Sequence, residues 1–365
     1  MSKILITGSC GFIGTNCTIE AIERGYTVIG FDNLRRSLTE ENLLFLQKTF
    51  RDKFIFIHGD IRNKVDFDRI PKDLIGIIAL AGQCGIPYAQ ISPQYDFEVN
   101  ALGTLNVLEY ARLHGKIPVA FASSNKVYTN ITNVMSIEEA ETRYRWDNSG
   151  TPLWKAGRFE DGITIDRTGD VRTTCPISIN EKLPLDADGK YARSLYGTSK
   201  VSADLYCQEY YQAFEVPTVV NRMSCIYGYY QKGVEDQAWV SWFIRQIKDG
   251  NRKINIFGTG KQVRDMLFGT DCAKLYLDEI LNIDKVKGQA YNIGGGVENT
   301  MSLLEAIKFI EDETKNKAEL TFLPKRHGDQ DIWISDITKI TTDLPMWKPT
   351  ISPKEGIRLM ITSNL

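Results

Sequence analysis

Histidine is scarce in this chain: His58, His114 and His327 are the whole supply in 365 residues, and they form no cluster. The seven cysteines, Cys10, Cys17, Cys84, Cys175, Cys207, Cys225 and Cys272, are scattered without any CxxC spacing. A disulfide framework or a metal cage needs tighter pairing, so neither is expected and no metal is assigned. A cysteine nucleophile would also lack its usual base, and Cys84 and Cys225 are read as small apolar filler. No uninterrupted apolar stretch is long enough to span a bilayer. The amino terminus runs directly into a strand without a charged n-region or a cleavage site, and the expected location is the cytoplasm. A basic excess is missing too, with 44 Lys and Arg against 46 Asp and Glu, which argues against nucleic acid as a partner. What is present, 42% hydrophobic residues in a chain of this length, can bury a core and build about two domains.

The most informative segment is Ser194 to Lys200, which sets Tyr196 and Lys200 four residues apart at what reads as the start of a helix. On a helix that spacing puts both side chains on one face. An ammonium beside a phenol favours the phenolate and lowers its pKa from about 10, so the pair is expected to accept a proton near neutral pH. That is the chemistry needed to take a proton from an alcohol while a hydride leaves its carbon. The same spacing also arises by chance at exposed helix starts, so its weight depends on its surroundings.

Two features supply that context. Lys3 to Thr7 reads as a short apolar strand leading into Gly8, Gly11 and Gly14, with a helical pattern following through Ile19, Ala21 and Ile22. Glycines at G-x-x-G-x-x-G spacing let the backbone turn tightly and approach a pyrophosphate, while the helix N-terminus offers amide donors. A second apolar strand, Thr27 to Asp32, ends in a carboxylate placed to accept from the adenosine ribose hydroxyls, and Asp32 thus predicts NAD over NADP. Arg35 and Arg36 are the competing signal, since either can hold a 2′-phosphate. The other feature is the strand Val119 to Ala122, which ends in Ser123 and Ser124. Ser124 then falls at the carboxyl edge of the sheet, where ligands bind in such folds. Serine pairs at strand ends are often plain turn formers, but between a dinucleotide site and YxxxK the functional reading dominates.

Together these features resemble the extended short-chain dehydrogenase/reductase superfamily, in particular its nucleotide-sugar epimerases and dehydratases, and the resemblance runs almost end to end. Further landmarks are Gly59 to Arg62, Leu80 to Gln83, Asn100 to Thr104, Asn221-Arg222 before Tyr227-Gly228, Val263 to Asp265, and Tyr291 to Gly295. Less generic stretches, Asn125 to Tyr128, Glu141 to Tyr144, Asp236 to Phe243 and Gly258 to Asp265, resemble the CDP-paratose (CDP-tyvelose) 2-epimerase family. The chain departs from that family at Thr129, where glycine is usual, and in a longer connection over 130–194.

The resemblance implies catalytic roles for Ser124, Tyr196 and Lys200. It implies that NAD is held by Gly8, Gly11, Phe12, Ile13, Gly14, Asp32, Asn33, Asp60, Ile61, Leu80, Ala81, Gly82, Asn100, Ser123, Tyr196, Lys200 and Met223. For a nucleotide diphosphate sugar it implies Gln83, Ser124, Asn125, Ser224, Gln237, Val240, Gln262, Arg264 and Arg326. The two arginines match phosphate-binding positions by fork geometry, with Arg264 the safer assignment and a surface ion pair the alternative for either. Trp239 and Trp242, at i and i+3 of a helix, are read as core rather than as base-stacking partners. The resemblance further implies a homo-oligomer, dimer or tetramer, and a place in surface-carbohydrate synthesis.

The expected fold class is α/β, a doubly wound parallel sheet of Rossmann type with a smaller C-terminal substrate domain. Strands are expected at Phe54 to His58, Gly76 to Ala81, Val119 to Ala122 and Thr218 to Asn221. Residues 1–222 are assigned to the NAD domain, with 289–294 returning to it as a strand, and 223–365 to the substrate domain. The latter is expected to hold a helix over Gln237 to Asp249, a hairpin or strand at Lys253 to Phe257, and helices beginning near Ser302 and Pro353. The 130–194 insertion is read as a lid or subunit contact, with short strands at Gly162 to Ile165 and Asp170 to Thr173.

Three activities compete on these residues. An epimerase oxidises one sugar carbon and returns the hydride to the other face. A 4,6-dehydratase normally carries an acidic pair directly after the catalytic Ser or Thr, and here Asn125 and Lys126 stand in those places, which argues against dehydration. A non-catalytic dinucleotide binder commonly loses the Tyr or Lys, and both are present. The expectation is therefore a 2-epimerase of a CDP-hexose, with an NDP-sugar 4-epimerase open as the second reading because it uses the same Ser/Tyr/Lys set.

Overall fold

Apolar runs buried from end to end become the parallel strands of the main sheet, as expected where helices cover both faces. The computed structural model describes residues 2–129, 132, 137–146, 178–186, 193–250, 252–326 and 328–363. The short strands expected at 162–165 and 170–173 lie outside the described residues, as do Cys175, His327 and most of the 130–194 insertion.

The strands, in chain order, are β1 (Lys3–Thr7), β2 (Thr27–Asp32), β3 (Phe54–His58), β4 (Leu74–Ala79), β5 (Val119–Ser124), β6 (Ile137–Glu139), β7 (Tyr144–Trp146), β8 (Thr218–Met223), β9 (Cys225–Tyr227), β10 (Lys253–Phe257), β11 (Val263–Phe268), β12 (Gln289–Ile293), β13 (Thr300–Ser302), β14 (Glu319–Leu323) and β15 (Ile332–Trp333). Seven of them form one parallel sheet in the order β12-β8-β5-β4-β1-β2-β3. The chain runs outward from β1 to β3, then returns to the other side of β1 with β4. That reversal opens a crevice at the carboxyl ends of β1 and β4, where ligands bind in doubly wound folds.

Leu80 and Ala81, expected inside the fourth strand, instead bend over the end of β1. Leu80 N donates to Thr7 O at 3.2 Å and Ala81 N to Thr7 Oγ1 at 3.2 Å. On one face of the sheet the helices Phe12–Glu23 and Gly269–Leu281 bury Cys17, Ala21, Ile22, Leu275, Tyr276 and Ile280. On the other, Gly103–Leu113 and Leu195–Phe214 bury Val107, Leu108, Ala203 and Cys207.

A second region stacks the helices Trp239–Lys248, Leu303–Thr314 and Pro353–Thr362 around Phe243, Ile247, Ile307, Ile310 and Ile357. Here β11 is flanked by β9, β13 and β15. The strand β10 pairs in parallel with β14, so it is not a hairpin arm, because parallel neighbours need a crossover. Ser302 caps its helix by accepting from Glu305 N, while the Glu305 carboxylate accepts from Ser302 N, a reciprocal box that fixes the helix start. The chain passes from β8 to β9 through Ser224 alone, so the main sheet and the smaller one meet at the crevice. No described helix is long and apolar enough to cross a membrane.

Candidate active site

The turn after β1 is built for close approach. Gly8 has φ +71°, and a Cβ there would stand 2.8 Å from Ala81 N. At Gly14 a Cβ would run into the Gly8 carbonyl, so the first helical turn packs directly on the loop. The helix Phe12–Glu23 starts at Gly11 without a side-chain cap, which leaves its first amides for an anionic ligand. This cradle, with no room for side chains, fits a dinucleotide pyrophosphate.

Asp32 at the end of β2 accepts from Cys10 N and Leu34 N, each at 2.9 Å, which ties the carboxylate to the glycine turn. Burial raises its pKa while those backbone bonds pull it down. Asp60 is also partly buried, but the Arg62 guanidinium and the Asn33 amide outweigh burial and bring its pKa down to about 2. Arg35 donates to Tyr88 OH at 3.1 Å and lies 4.4 Å over the Tyr95 ring, so the guanidinium expected to compete for a 2′-phosphate has other partners. A cavity of about 690 Å³ opens beside Asn33, His58, Gly59, Asp60 and Arg62. Ile61 is packed in the core, with its side chain against Gly103.

The second half of the crevice joins β5 to the helix Leu195–Phe214. Ser194 caps that helix by accepting from Gly197 N at 3.1 Å, and Gly197 packs so tightly on the Lys126 carbonyl that a Cβ would collide with it. The helix start is thereby seated on the turn that follows Ser124, which brings the Ser124 side chain beside the Tyr196 phenol. Lys200 Nζ donates to Ala122 O at 2.9 Å and lies 5.1 Å from the Phe121 ring centroid. Burial raises the Tyr196 pKa well above its usual value and lowers that of Lys200, and the neighbouring Ser124 hydroxyl opposes the first effect without cancelling it. The lowering of the phenol pKa expected from Lys200 is not seen in the protein alone: the ammonium is directed at Ala122 O, and burial moves the phenol upward.

Behind the pair lies Asp96, a residue that sequence reasoning missed. It is 1% exposed and accepts from Gln83 Nε2 at 2.9 Å and Asn100 Nδ2 at 3.1 Å. Its pKa is raised by burial, with Lys200 pulling the other way. Asn100 sits in a π-helical turn, Glu98–Leu102, and additionally donates to Ser199 Oγ at 3.1 Å and accepts from Gln83 N at 2.9 Å. Such turns occur frequently at functional sites. The Asp96 to Asn100 spacing of four was the available signal.

Ser123 turns away from the crevice and donates to Asp204 Oδ2 at 2.7 Å. Asp204 also receives Arg222 through two bonds, at 2.9 and 3.0 Å, and Arg222 donates onward to Tyr128 OH at 3.0 Å. The expected cofactor contact of the Ser123 side chain is therefore replaced by a structural one. The Met223 sulfur accepts from Tyr276 OH at 3.3 Å.

On the other wall, Arg264 pairs with Asp329 at 2.7 Å, and Arg326 pairs with Asp236 at 2.8 Å and stacks 3.6 Å from the Phe257 centroid. Gln262 is buried, with Nε2 donated to Phe257 O at 2.6 Å and Oε1 without a partner among the described residues. Ser224 Oγ hydrogen-bonds the Asp265 carboxylate. Gln237 exchanges backbone hydrogen bonds with Val234. Val240 is corrected as a substrate contact through its side chain: it is 1% exposed and packs with Phe243, Ile244 and Ile247, because the helix turns its apolar stripe inward. Trp239 and Trp242 are half-buried, and Trp239 meets Phe243 edge to face. Cys84 is exposed and bonded only weakly to Gly82 O, so it is not filler, whereas burial pushes the Cys225 thiol up to about 12. Among the described residues there is no cluster of metal-ligating side chains.

A glycine cradle at the switch point of a parallel sheet, beside a buried Ser/Tyr/Lys set, defines a dinucleotide-dependent enzyme of the kind that acts on an alcohol. The chain belongs to the NAD dependent epimerase/dehydratase family, which it matches over residues 4–151 and 169–294, and NAD is its cofactor. It is 37% identical over 365 residues to a CDP-paratose 2-epimerase of Salmonella typhi, with 98% of each chain covered. It is 28% identical to a putative UDP-glucose 4-epimerase of Methanocaldococcus jannaschii, over 98% of this chain and 97% of that one. The solved UDP-glucose 4-epimerase of Thermotoga maritima, with UDP-glucose, shares the fold at a TM-score of 0.73 and 24% identity, covering 98% and 97% of the two chains.

Proposed function

We propose that this NAD-dependent epimerase inverts carbon 2 of a CDP-hexose. The observation that carries the reading is the buried set of Ser124, Tyr196 and Lys200 brought together at the end of β5, with Asn125 and Lys126, rather than two acids, following Ser124. NAD, when bound, would supply the hydride acceptor and donor, and the positive charge of its oxidised form, with the Lys200 ammonium, would favour the phenolate of Tyr196. Tyr196, as the phenolate, receives the proton of the carbon 2 hydroxyl and later returns it, with Ser124 beside the same oxygen. Lys200 has its ammonium within reach of the Gly82 backbone, where it would hold the nicotinamide ribose. Oxidation makes the carbon planar, and a keto-sugar held by its diphosphate through Arg264 and Arg326 can turn and offer the opposite face.

Residues 1–222 with 289–294 hold NAD, and 223–365 hold the nucleotide sugar. The enzyme works in the cytoplasm as a homo-oligomer, supplying sugars for surface polysaccharide. Support for the CDP-sugar comes from the 37% identity to the Salmonella protein along the whole chain. The test is incubation of purified protein with CDP-, UDP- and GDP-hexoses, followed by NMR of the products. Inversion at carbon 2 of a CDP-sugar is expected, and inversion at carbon 4 of a UDP-sugar would favour the 4-epimerase instead.

A further inference from the structure

Gln330, in the loop between β14 and β15, is fully buried, yet its Nε2 has no hydrogen-bond partner among the described residues. The other end of the same amide is doubly occupied. Its Oε1 accepts from Lys126 Nζ at 3.0 Å and from Asn125 Nδ2 at 3.3 Å. Two donors on one oxygen determine which way round the amide stands, since a flipped Gln330 would turn its NH2 against an ammonium. Lys126 is itself anchored on Gly328 O at 3.1 Å, so the clamp is fixed to the backbone of the loop it holds. A buried donor left without an acceptor is rare and calls for a group that completes it.

The location says what that group is. Asn125 follows Ser124 directly at the carboxyl end of β5, so the amide it holds is tied to the strand end that carries the candidate site. The diphosphate has two cations of its own in Arg264 and Arg326. A neutral amide donor beside the reacting alcohol suits a neutral oxygen, a hydroxyl or a carbonyl.

We propose that Gln330 is a substrate-binding residue that donates Nε2–H to a sugar oxygen next to the reacting carbon, with Asn125 and Lys126 as the positioning residues that aim it. This rests on the nucleotide-sugar reading above. It gives the two residues after Ser124 a task in orienting the sugar rather than in proton transfer.

The test compares CDP with CDP-glucose by calorimetry on the NAD-loaded protein, in the wild type and in Gln330→Leu and Gln330→Glu. The glutamate variant keeps the shape and the bonds from Asn125 and Lys126 while removing the donor, so it serves if the leucine variant folds poorly. Both variants are expected to weaken CDP-glucose binding about tenfold, the usual effect of losing one hydrogen bond, and to leave CDP binding unchanged. Lys126→Met is expected to show the same sugar-selective loss. Equal losses for CDP and CDP-glucose would assign the amide to the diphosphate, and no loss for either would make it purely structural; each result overturns the proposal. A wild type that binds UDP and UDP-glucose instead overturns the CDP reading alone, and the uridine pair then decides the role of Gln330 by the same comparison.

Discussion

Gly197 packs on the carbonyl of Lys126 so closely that no side chain fits between the start of the Tyr196 helix and the turn after Ser124. The contact sets how closely the Ser124 and Tyr196 side chains approach each other. Gly197→Ala is expected to cost about 1–3 kcal/mol of stability by overpacking. The forced shift of Tyr196 should also lower turnover by up to about a hundredfold, the scale for a misplacement near 1 Å. Urea unfolding and steady-state kinetics read the two effects, and a variant with wild-type turnover would show that the contact does not position Tyr196.

Tyr196→Phe removes the titrating oxygen and keeps the ring. Turnover should fall by about two to four orders of magnitude, the usual share of general acid and base catalysis, while NAD and nucleotide-sugar binding are retained. Near-normal turnover would dismiss Tyr196 as the proton acceptor.

Arg222 and Asp204 make a buried ion pair that joins β8, the Leu195–Phe214 helix and, through Ser123, the end of β5. Removing one partner leaves the other charge buried alone. Arg222→Met should therefore destabilise the protein by about 3–5 kcal/mol in urea unfolding. A loss below 1 kcal/mol would mean that water or another cation compensates Asp204.

Lys126 supplies a test by pH. Burial lowers its pKa from 10.5 to about 8, with Arg264 and Lys325 acting in the same direction and Asp329 against them. Above about pH 8 the folded protein loses this proton while the unfolded chain keeps it to 10.5, so this group makes stability rise with pH across that window. Substrate affinity moves the opposite way, because a neutral amine is a poorer donor to Gln330. KM should rise from about pH 8 upward, and Lys126→Met should remove that limb along with its share of the stability trend. A pH profile of KM that is identical in the variant would contradict this role.

Much of the sheet was legible because strands buried on both faces leave continuous apolar runs, and β1 and β2 fall where those runs predict. The strand β4 ends earlier than its apolar run because Leu80 and Ala81 hydrogen-bond to Thr7, a contact between distant residues that no local pattern records. The Tyr196 and Lys200 pair was legible from spacing, but the direction of its pKa shifts was not, since burial and the Ala122 carbonyl come from the fold. Val240 was misread because an apolar helical face looks alike whether it meets a ligand or a core. Gln330 left no signal at all: its partner Asn125 lies 205 positions away, and one unpaired nitrogen becomes visible only when both ends of the amide are placed.

The measurement that bears most directly on the proposed reaction is the fate of deuterium at carbon 2 of the sugar. Tyr196 exchanges only the hydroxyl proton with its surroundings, and the hydride that leaves carbon 2 is the one that returns. A CDP-hexose substrate deuterated at carbon 2 should therefore keep its label in the epimerised product, and unlabelled substrate turned over in heavy water should gain none at that carbon. Loss of the label to solvent, or its uptake from heavy water, would mean that carbon 2 is inverted by proton abstraction and would contradict inversion by hydride transfer to NAD and back.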